Sequence, residues 1–196
     1  MSKVLCVDDN VDLVEVLSEM LTSLKFEPQA VLGGRECFDL LNNGSFMPDI
    51  ILLDIMMAPV DGWTTLRNIR NERRFEQIPV MMLTGKYPTM AEVNEYVTLF
   101  EGYLMKPFAL GFLAFEINKV LNHVKKREEI IDDARGKGVE EEMLRDYRKL
   151  SSTGCLLNQF EAIITDGTFN KERFAELDRR FEAIVKELRE IRSITE

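Results

Sequence analysis

The stretch that decides the fold is IILLD at residues 50–54, in which four apolar residues lead directly into an acid. An earlier apolar run, VLCV at residues 4–7, ends in the same way at Asp8 and Asp9, and a third apolar segment ends at Lys106. Short apolar runs of this kind are typical of strands that are buried on both faces of a parallel sheet. Each charge therefore stands where a buried strand would stop.

The first 124 residues alternate between predicted strands and predicted helices. The helices follow from apolar residues that recur at steps of three and four, as in the segment that begins at Val11. Right-handed crossovers leave few topologies for such a chain. The fold class we predict is α/β, a flavodoxin-like doubly wound sheet of five parallel strands in the order 2-1-3-4-5, followed by an all-α helical hairpin or coiled coil. The predicted strands are residues 4–7, 28–32, 49–53, 78–83 and 102–105.

This strand order brings the carboxyl ends of strands 1, 3 and 5 together, and ligands bind at that edge of an open parallel sheet. Three carboxylates and one ammonium would gather there, from Asp8, Asp9, Asp54 and Lys106. At roughly 5 Å and an effective dielectric near 20, two carboxylates repel by about 3 kcal/mol, so the group needs a cation or a raised pKa. The sequence thus predicts a site for a divalent cation and a phosphoryl group.

Chemistry divides the roles among these residues. Oxygen ligands suit Mg²⁺, which Asp9 and Asp54 would bind directly and Asp8 through a water molecule. Attack by the Asp54 carboxylate on a phosphoryl group would form an acyl phosphate. The metal and Lys106 would offset the charge on the phosphoryl oxygens. Thr84, at the end of the fourth strand, would donate its hydroxyl to the same group.

Each of these residues also has a simpler interpretation when it is taken alone. Asp8 or Asp9 would be the N-cap of the first helix. Asp54 would be a loop acid, Lys106 a solvated lysine, and Thr84 a strand-end hydroxyl. The coincidence of the four charged positions is what favours a functional site.

The first 125 or so residues closely resemble the receiver domain of two-component response regulators. That resemblance implies a signalling phosphoprotein of a two-component system or phosphorelay, with Mg²⁺ as cofactor and a histidine kinase or phosphotransfer protein as partner. The family motifs occur in family order and spacing: VDDN at 7–10, LLDIMM at 52–57, DG at 61–62, LTG at 83–85 and YLMKPF at 103–108.

The resemblance also implies roles for particular residues around the acceptor. Asp54 would be the phosphoacceptor, and Asp8 and Asp9 would form the acidic pocket. The backbone carbonyl of Met56 would be a third metal ligand. The roles that the resemblance implies for the three acids thus agree with those that their chemistry predicts.

Further roles follow from the resemblance at the ends of the fourth and fifth strands. Thr84 and Lys106 would bind the phosphoryl group, and Thr84 and Tyr103 would be the switch pair, although Tyr103 taken alone would be a core aromatic. The Lys106-Pro107 peptide would be cis, which is uncommon even before proline. The chain departs from the family in one place, since Ala58 stands where the family usually has proline and Pro59 follows it.

Beyond Lys125 the sequence becomes charged, poor in glycine and helical in character. We therefore predict a receiver domain over residues 1–124, a helix extension and linker over 125–138, and a helical hairpin over 139–196. Glycine inside a helix costs about 1 kcal/mol relative to alanine, which indicates a break near Gly136. The predicted elements of this part are a helix break at 136–138, a helix over 139–165, a turn at 166–167 and a last helix capped by Asn170.

The last helix carries apolar residues at alternating steps of three and four, the spacing of a coiled-coil core. Burial of six such side chains contributes on the order of 10 kcal/mol, so this helix requires a partner. Two partners stay open: residues 139–165 in an antiparallel hairpin, or a second copy in a four-helix bundle that makes a homodimer. The residues of this seam are Phe174, Leu177, Phe181, Ile184, Leu188 and Ile191.

Charge and motif content restrict the output. Residues 1–124 hold 10 Lys and Arg against 17 Asp and Glu, and residues 125–196 hold 15 against 17. Neither part has the basic excess of a duplex-binding module, so we expect no nucleic-acid partner. The tail lacks the motifs of an enzyme, and we expect only Mg²⁺-dependent self-phosphorylation and self-dephosphorylation. We predict output by protein–protein interaction; the alternative is a transcriptional regulator with an unrecognised DNA-binding tail.

The remaining features predict a cytoplasmic protein. Its three cysteines are scattered, and no apolar run reaches the roughly 20 residues needed to span a bilayer. The amino terminus leads into a strand and has no signal-peptide pattern. His123, the single histidine, lies in a predicted helix without a phosphotransfer context, so we expect it at the surface or at a helix end.

Overall fold

Five parallel strands form one sheet, in the order β2-β1-β3-β4-β5 that the sequence predicts. The computed structural model of the protein describes residues 1–86, 88–151, 156 and 171–193. Every strand begins and ends within two residues of its predicted position. The strands are β1 (Lys3–Val7), β2 (Glu27–Val31), β3 (Ile50–Asp54), β4 (Val80–Thr84) and β5 (Gly102–Met105).

Burial explains why the apolar runs become the centre of the sheet. All residues of β3 and β4 are buried, whereas the edge strand β2 is partly exposed along its length. Burying a large aliphatic side chain contributes about 1.5–3 kcal/mol, so the two central strands supply much of the driving force for this fold. The polar residues Asp54 and Thr84 lie at the carboxyl ends of these strands.

Seven helices can be described around and after this sheet. No helix in the described ranges is long and apolar enough to cross a membrane. The helices are α1 (Val11–Ser23), α2 (Gly34–Asn43), α3 (Gly62–Asn71), α4 (Met90–Tyr96), α5 (Leu110–Gly136), α6 (Glu141–Ser151) and α7 (Lys171–Ser193).

Polar caps fix where the helices begin behind the strand ends. The Asn10 side chain accepts a hydrogen bond from the Leu13 N–H at the start of α1, and Asp61 caps α3 in the same way. Thr89 and Glu92 form a reciprocal capping box at the start of α4. A capped start satisfies backbone N–H groups that otherwise have no partner. Each loop that joins a strand to one of these helices is therefore fixed at the end where the helix begins.

Gly62 lets the backbone after β3 turn tightly over the end of the strand. Its N–H donates to the Ile55 carbonyl at 2.9 Å. A Cβ atom at this position would lie 2.1 Å from the Asp54 carbonyl oxygen, much closer than any real contact allows. Glycine is therefore required at residue 62 for this close approach of β3 and α3.

The strand register places the functional ends at one edge of the sheet. Val7 pairs with Leu53, and Asp54 pairs with Leu83. Thr84 in turn pairs with Met105. Each of these residues lies at or next to the carboxyl end of its strand, so the residues that follow β1, β3, β4 and β5 share one edge.

The described residues divide between two compact units, one made of residues 1–87 and 102–121 and the other of 88–101 and 122–196. Helix α4 therefore groups with the C-terminal helices, and α5 contributes its first part to one unit and its second part to the other. The boundary at residue 124 and the tail boundaries stay predictions.

An apolar cluster holds the second unit together. Helix α7 contributes Phe181, Ile184 and Leu188 of the predicted seam. The ring of Tyr147 stacks on that of Phe181 with centroids 5.6 Å apart. Three helices thus meet within one chain, and α5 is one of them, a partner that the two-helix hairpin did not include. The buried members are Ile131, Ala134, Val139, Leu144, Tyr147 and Leu188.

The ends of the C-terminal helices agree with the predicted break. Helix α5 ends at Gly136, and Gly138 has a φ of +82°, a backbone conformation that favours glycine. The helix predicted over 139–165 is described only as α6, with Leu156 beyond it. The rest of that helix, the turn at 166–167 and the Asn170 cap lie outside the described residues, as do the side chains of Phe174 and Ile191.

Candidate functional site

Lys106 joins two acids at the edge of the sheet. Its Nζ atom lies 2.5 Å from Asp8 Oδ2 and 2.5 Å from Asp54 Oδ1. Both carboxylates are buried, with only 5% of each residue exposed. Residues far apart in sequence are thus brought together as the strand order requires, because β1, β3 and β5 end at one edge. The Lys106-Pro107 peptide that follows is cis, as predicted.

The surroundings of Asp54 act on its pKa in opposite directions. Burial raises the pKa of this carboxyl above its ordinary value, and the charge of Asp8 adds to the increase. The hydrogen bond and the positive charge of Lys106 lower it, as does the Met56 N–H, which donates to Asp54 Oδ2 at 2.6 Å. Lys106 is therefore the group that most opposes the effect of burial on the Asp54 pKa.

The acidic pair at the end of β1 is not the cap of α1. That role belongs to Asn10, so the simpler interpretation of Asp8 and Asp9 is wrong. Asp8 Oδ1 accepts a hydrogen bond from the Asn10 N–H at 2.9 Å. Asp9 Oδ2 accepts one from the Ala58 N–H at 2.9 Å, across a sequence separation of 49 residues.

Thr84 and Tyr103 both bind the backbone of Lys86. The Thr84 hydroxyl, fully buried, accepts a hydrogen bond from the Lys86 N–H at 3.1 Å. The Tyr103 hydroxyl donates to the Lys86 carbonyl at 2.9 Å, and the residue is 4% exposed. The sequence predicts Tyr103 as a switch residue or, taken alone, as a core aromatic; its ring is buried here and its hydroxyl is bound to the loop after β4.

The donor set fits a hard divalent cation in its chemistry, since it consists of carboxylate oxygens. Within the described ranges, however, no three His, Cys, Asp or Glu side chains converge as a preformed metal group. Lys106 supplies the positive charge between Asp8 and Asp54, and Asp9 is bound to Ala58. Met56 contacts Asp54 through its N–H, and the role of its carbonyl stays a prediction.

Sequence reasoning missed three contributors to this site. Asn10 could have been found, because asparagine directly before an amphipathic helix is a common cap. The backbone of Lys86 and the N–H of Ala58 carried no signal of their own, since backbone groups are common to nearly all residue types. In the sequence, Ala58 is distinguished only as a departure from the family.

A buried ion network lies in the second unit. Arg127 on α5 is 2% exposed; its Nε donates to Glu128 Oε1 at 2.9 Å, and its Nη1 lies 3.5 Å from Glu101 Oε1. Arg148 on α6 donates to Glu128 Oε2 at 2.7 Å. Burial opposes ionisation of Glu128, but the hydrogen bonds and charges of Arg148 and Arg127 hold its pKa below the usual value. The network ties the segment after α4 to α5 and α6.

His123 is neither at the surface nor at a helix end, so that expectation is wrong. It lies in the middle of α5 and is partly buried. Burial lowers its pKa, and the charge of Arg127 lowers it further. The imidazole also hydrogen-bonds with the backbone of Ser151 and so belongs to the packing of α5 against that residue.

Known proteins are similar to this chain in sequence, and solved structures are similar to it in fold. The response regulator Rre1 of Synechocystis is 28% identical over 148 residues, covering 74% of this chain and 62% of its own length. The CpxR homolog of Haemophilus influenzae, a transcriptional regulatory protein, is 35% identical over 62% of this chain and 51% of its own. The N-terminal domain of a response regulator receiver protein from Methanoculleus marisnigri is 40% identical, with a TM-score of 0.51 over 62% of this chain and 97% of that structure.

The extent of these similarities defines what they show. The chain spans about half the length of most of the curated relatives it matches. A family model for the response regulator receiver domain matches residues 4–118, more than half of the chain. The strand order, the Asp8–Lys106–Asp54 contact and this match lead to one conclusion: the chain belongs to the response regulator receiver domain family.

Proposed function

We propose that Asp54 accepts a phosphoryl group from the phosphohistidine of a histidine kinase or phosphotransfer protein, with Mg²⁺ bound beside it. The observation that supports this proposal best is the placement of Asp54. It is a buried carboxylate at the end of β3, within 2.5 Å of the Lys106 ammonium that also binds Asp8. A buried, paired carboxylate at the ligand-binding edge of a parallel sheet is a candidate nucleophile.

The transfer follows from groups that the chain itself provides. A carboxylate oxygen of Asp54 attacks phosphorus, the P–N bond of the phosphohistidine breaks, and its electron pair leaves on the histidine nitrogen. Lys106 offsets charge on the phosphoryl oxygens, and the Thr84 hydroxyl donates a hydrogen bond to one of them. When bound by Asp9, Asp54 and the Met56 carbonyl, with Asp8 acting through water, Mg²⁺ supplies further charge stabilisation.

Phosphorylation then changes the loop after β4. The phosphoryl group adds about −1.5 to −2 charges at pH 7. A Thr84 hydroxyl drawn toward it lengthens or loses its bond with the Lys86 N–H. Because Tyr103 holds the carbonyl of the same residue, the two side chains respond together. Apart from forming and losing its own acyl phosphate, the protein carries out no catalysis in this proposal.

The output proceeds through the C-terminal helices, by contact with a protein partner or with a second copy of the chain. Support comes from the buried network in which Arg127 connects Glu101, directly before β5, to α5 and α6. A shift of that segment would disturb a network whose charged members are costly to leave unpaired. The proposed location of the protein is the cytoplasm, where a reducing environment suits the buried thiols of Cys6 and Cys37.

A DNA-binding output is the alternative, because the CpxR homolog and the ycf29 protein of Porphyra purpurea are named as transcriptional regulators. The similarity to the ycf29 protein covers 52% of this chain and 48% of that protein. The charge of residues 125–196 does not favour contact with phosphates. Duplex binding that weakens steeply with added salt would support this alternative over a protein partner.

Incubation with acetyl phosphate and MgCl₂ tests the acceptor. We expect a mass increase of one phosphoryl group on the wild type, stable in acid and labile in base, and none on Asp54→Asn. Peptide mapping must place the adduct on Asp54. An adduct at another residue, or an unmodified wild type, would contradict the proposed chemistry.

Beryllofluoride tests the output. We expect hydrogen exchange in residues 125–151 or the oligomeric state to change when beryllofluoride and MgCl₂ are added to the wild type, and not when they are added to Asp54→Asn. Affinity capture under the same conditions then identifies the partner. If the wild type shows identical exchange and identical mass in solution with and without beryllofluoride, the tail is not the output.

A further inference from the structure

We propose that the backbone N–H of Ala58 is a positioning group for the metal site, one that holds the Asp9 carboxylate ready for Mg²⁺. The inference rests on the function proposed above and adds a residue to it. Its basis is the 2.9 Å hydrogen bond from the Ala58 N–H to Asp9 Oδ2. Since a carboxylate has two oxygens, this bond leaves Oδ1 for a cation.

Each of the three acids accepts a hydrogen bond from a backbone N–H. Asp8 Oδ1 is bound by the Asn10 N–H, and Asp54 Oδ2 by the Met56 N–H. Asp8 and Asp54 are also held by Lys106 and are buried. Asp9 is exposed, so solvent leaves its side chain free to change rotamer unless a protein group fixes it. The Ala58 N–H is that group.

The residue type at position 58 decides whether this bond exists. Any residue except proline has the required N–H, and proline lacks it. Receiver domains resembling this one usually have proline here, whereas this chain has Ala58 followed by Pro59. Because position 58 is alanine, this chain has a backbone N–H there that donates to Asp9. Removal of a group that binds and orients a metal ligand commonly weakens metal binding by about 10–100-fold.

Calorimetric titration with MgCl₂ measures the effect directly. We expect Ala58→Pro to weaken Mg²⁺ binding by about 10-fold, at the lower end of that range because Asp9 is exposed. Ala58→Ser keeps the N–H and should bind within about 2-fold of the wild type, a difference too small to represent a lost ligand partner. Circular dichroism and urea unfolding of both variants show whether the loop change has affected folding.

Phosphorylation by acetyl phosphate separates positioning from chemistry. In Ala58→Pro the MgCl₂ concentration for half-maximal rate should rise by the same factor as the dissociation constant. The limiting rate at saturating MgCl₂ should equal that of the wild type, because Asp54 and Lys106 are unchanged. A general loosening of the site would lower the limiting rate as well, so this outcome would overturn the inference.

A second variant keeps the test decisive if proline disturbs the loop. Semisynthesis with lactic acid in place of Ala58 converts the amide N–H to an ester oxygen and leaves the side chain unchanged. This variant should show the same 10-fold weakening as proline. In the metal-free protein, the Ala58 amide proton should move upfield in Asp9→Ala, which reports on the bond without any metal.

The possible failures can be told apart. If the proline and ester variants bind MgCl₂ as tightly as the wild type, or the amide proton ignores Asp9→Ala, the inference is wrong while the proposed function stands. If the wild type neither binds MgCl₂ nor accepts a phosphoryl group, the proposed function fails and the inference falls with it.

Discussion

Replacement of Lys106 by methionine removes the ammonium that two buried acids share and keeps a side chain of similar shape. The Nζ atom is 2.5 Å from both carboxylates, and the side chains of Lys106, Asp8 and Asp54 are only 18%, 7% and 7% exposed. Removing one partner of a buried ion pair costs about 3–5 kcal/mol of unfolding free energy. We expect about 3 kcal/mol at pH 7.5, since some solvent reaches Lys106.

The cost depends on pH because of Asp54. Burial already raises its pKa in the wild type, and the variant loses the Lys106 hydrogen bond and charge that oppose this increase. A charge-assisted hydrogen bond contributes about 1.5–3 kcal/mol, so its loss raises the pKa of Asp54 further. The folded variant therefore keeps a proton that the unfolded chain has lost, and its stability falls as the pH rises between the unfolded and the raised folded pKa. The deficit is largest at pH 7.5 and shrinks toward about pH 4.

Urea unfolding at pH 5, 6 and 7.5 measures this deficit, with the fluorescence of Trp63, the single tryptophan, as the signal. Lys86→Met is the matched control: it removes one lysine charge next to Thr84, and its exposed side chain predicts a change within about 0.5 kcal/mol. A deficit for Lys106→Met below about 1 kcal/mol at pH 7.5, or one that does not vary with pH, would refute the argument that Lys106 compensates two buried charges.

Three further predictions concern the elements that carry the site. Gly62→Ala should lower the unfolding free energy by at least about 3 kcal/mol, because its Cβ would lie 2.1 Å from the Asp54 carbonyl oxygen. Gly33→Ala is the control, since a Cβ at residue 33 has open space around it. Urea unfolding compares the two variants. Asn10→Ala should cost about 1 kcal/mol through loss of the α1 cap, measured by thermal unfolding, and no loss would show that Asn10 Oδ1 does not stabilise the helix. Burial raises the pKa of Cys6 and Cys37 to about 12, so iodoacetamide at pH 8 should label neither thiol until urea is added; mass spectrometry of the folded protein would reveal any exception.

Much of the first unit could be predicted from sequence because one physical rule applies to each element. The apolar runs of β3 and β4 have no other stable place than the interior of a sheet. Five alternating units then leave few topologies, which bring Asp8, Asp54 and Lys106 to one edge. The meeting of these residues is a consequence of strand order.

The parts that sequence missed depend on tertiary context. Ile131 and Ala134 are buried in the cluster with α6 and α7, and the local sequence does not indicate these partners. The local sequence does not indicate that α4 groups with the tail, since the network around Arg127 joins residues up to 47 positions apart. The Ala58 bond to Asp9 uses a backbone donor that any non-proline residue possesses. Sequence periodicity predicts which residues share one face of a helix or strand. It does not predict which distant face or backbone group that face contacts.

The network around Arg127 has a consequence for anyone who builds chimeras from this protein. Glu101 precedes β5 and lies inside the stretch that the receiver family model matches, while Glu128 and Arg148 lie beyond it. A cut at the family boundary would transplant the tail without the carboxylate that Arg127 faces. The graft would then carry a buried guanidinium into a host that has not evolved to neutralise it. Transfer of the tail therefore requires a glutamate at the position equivalent to 101 in the recipient.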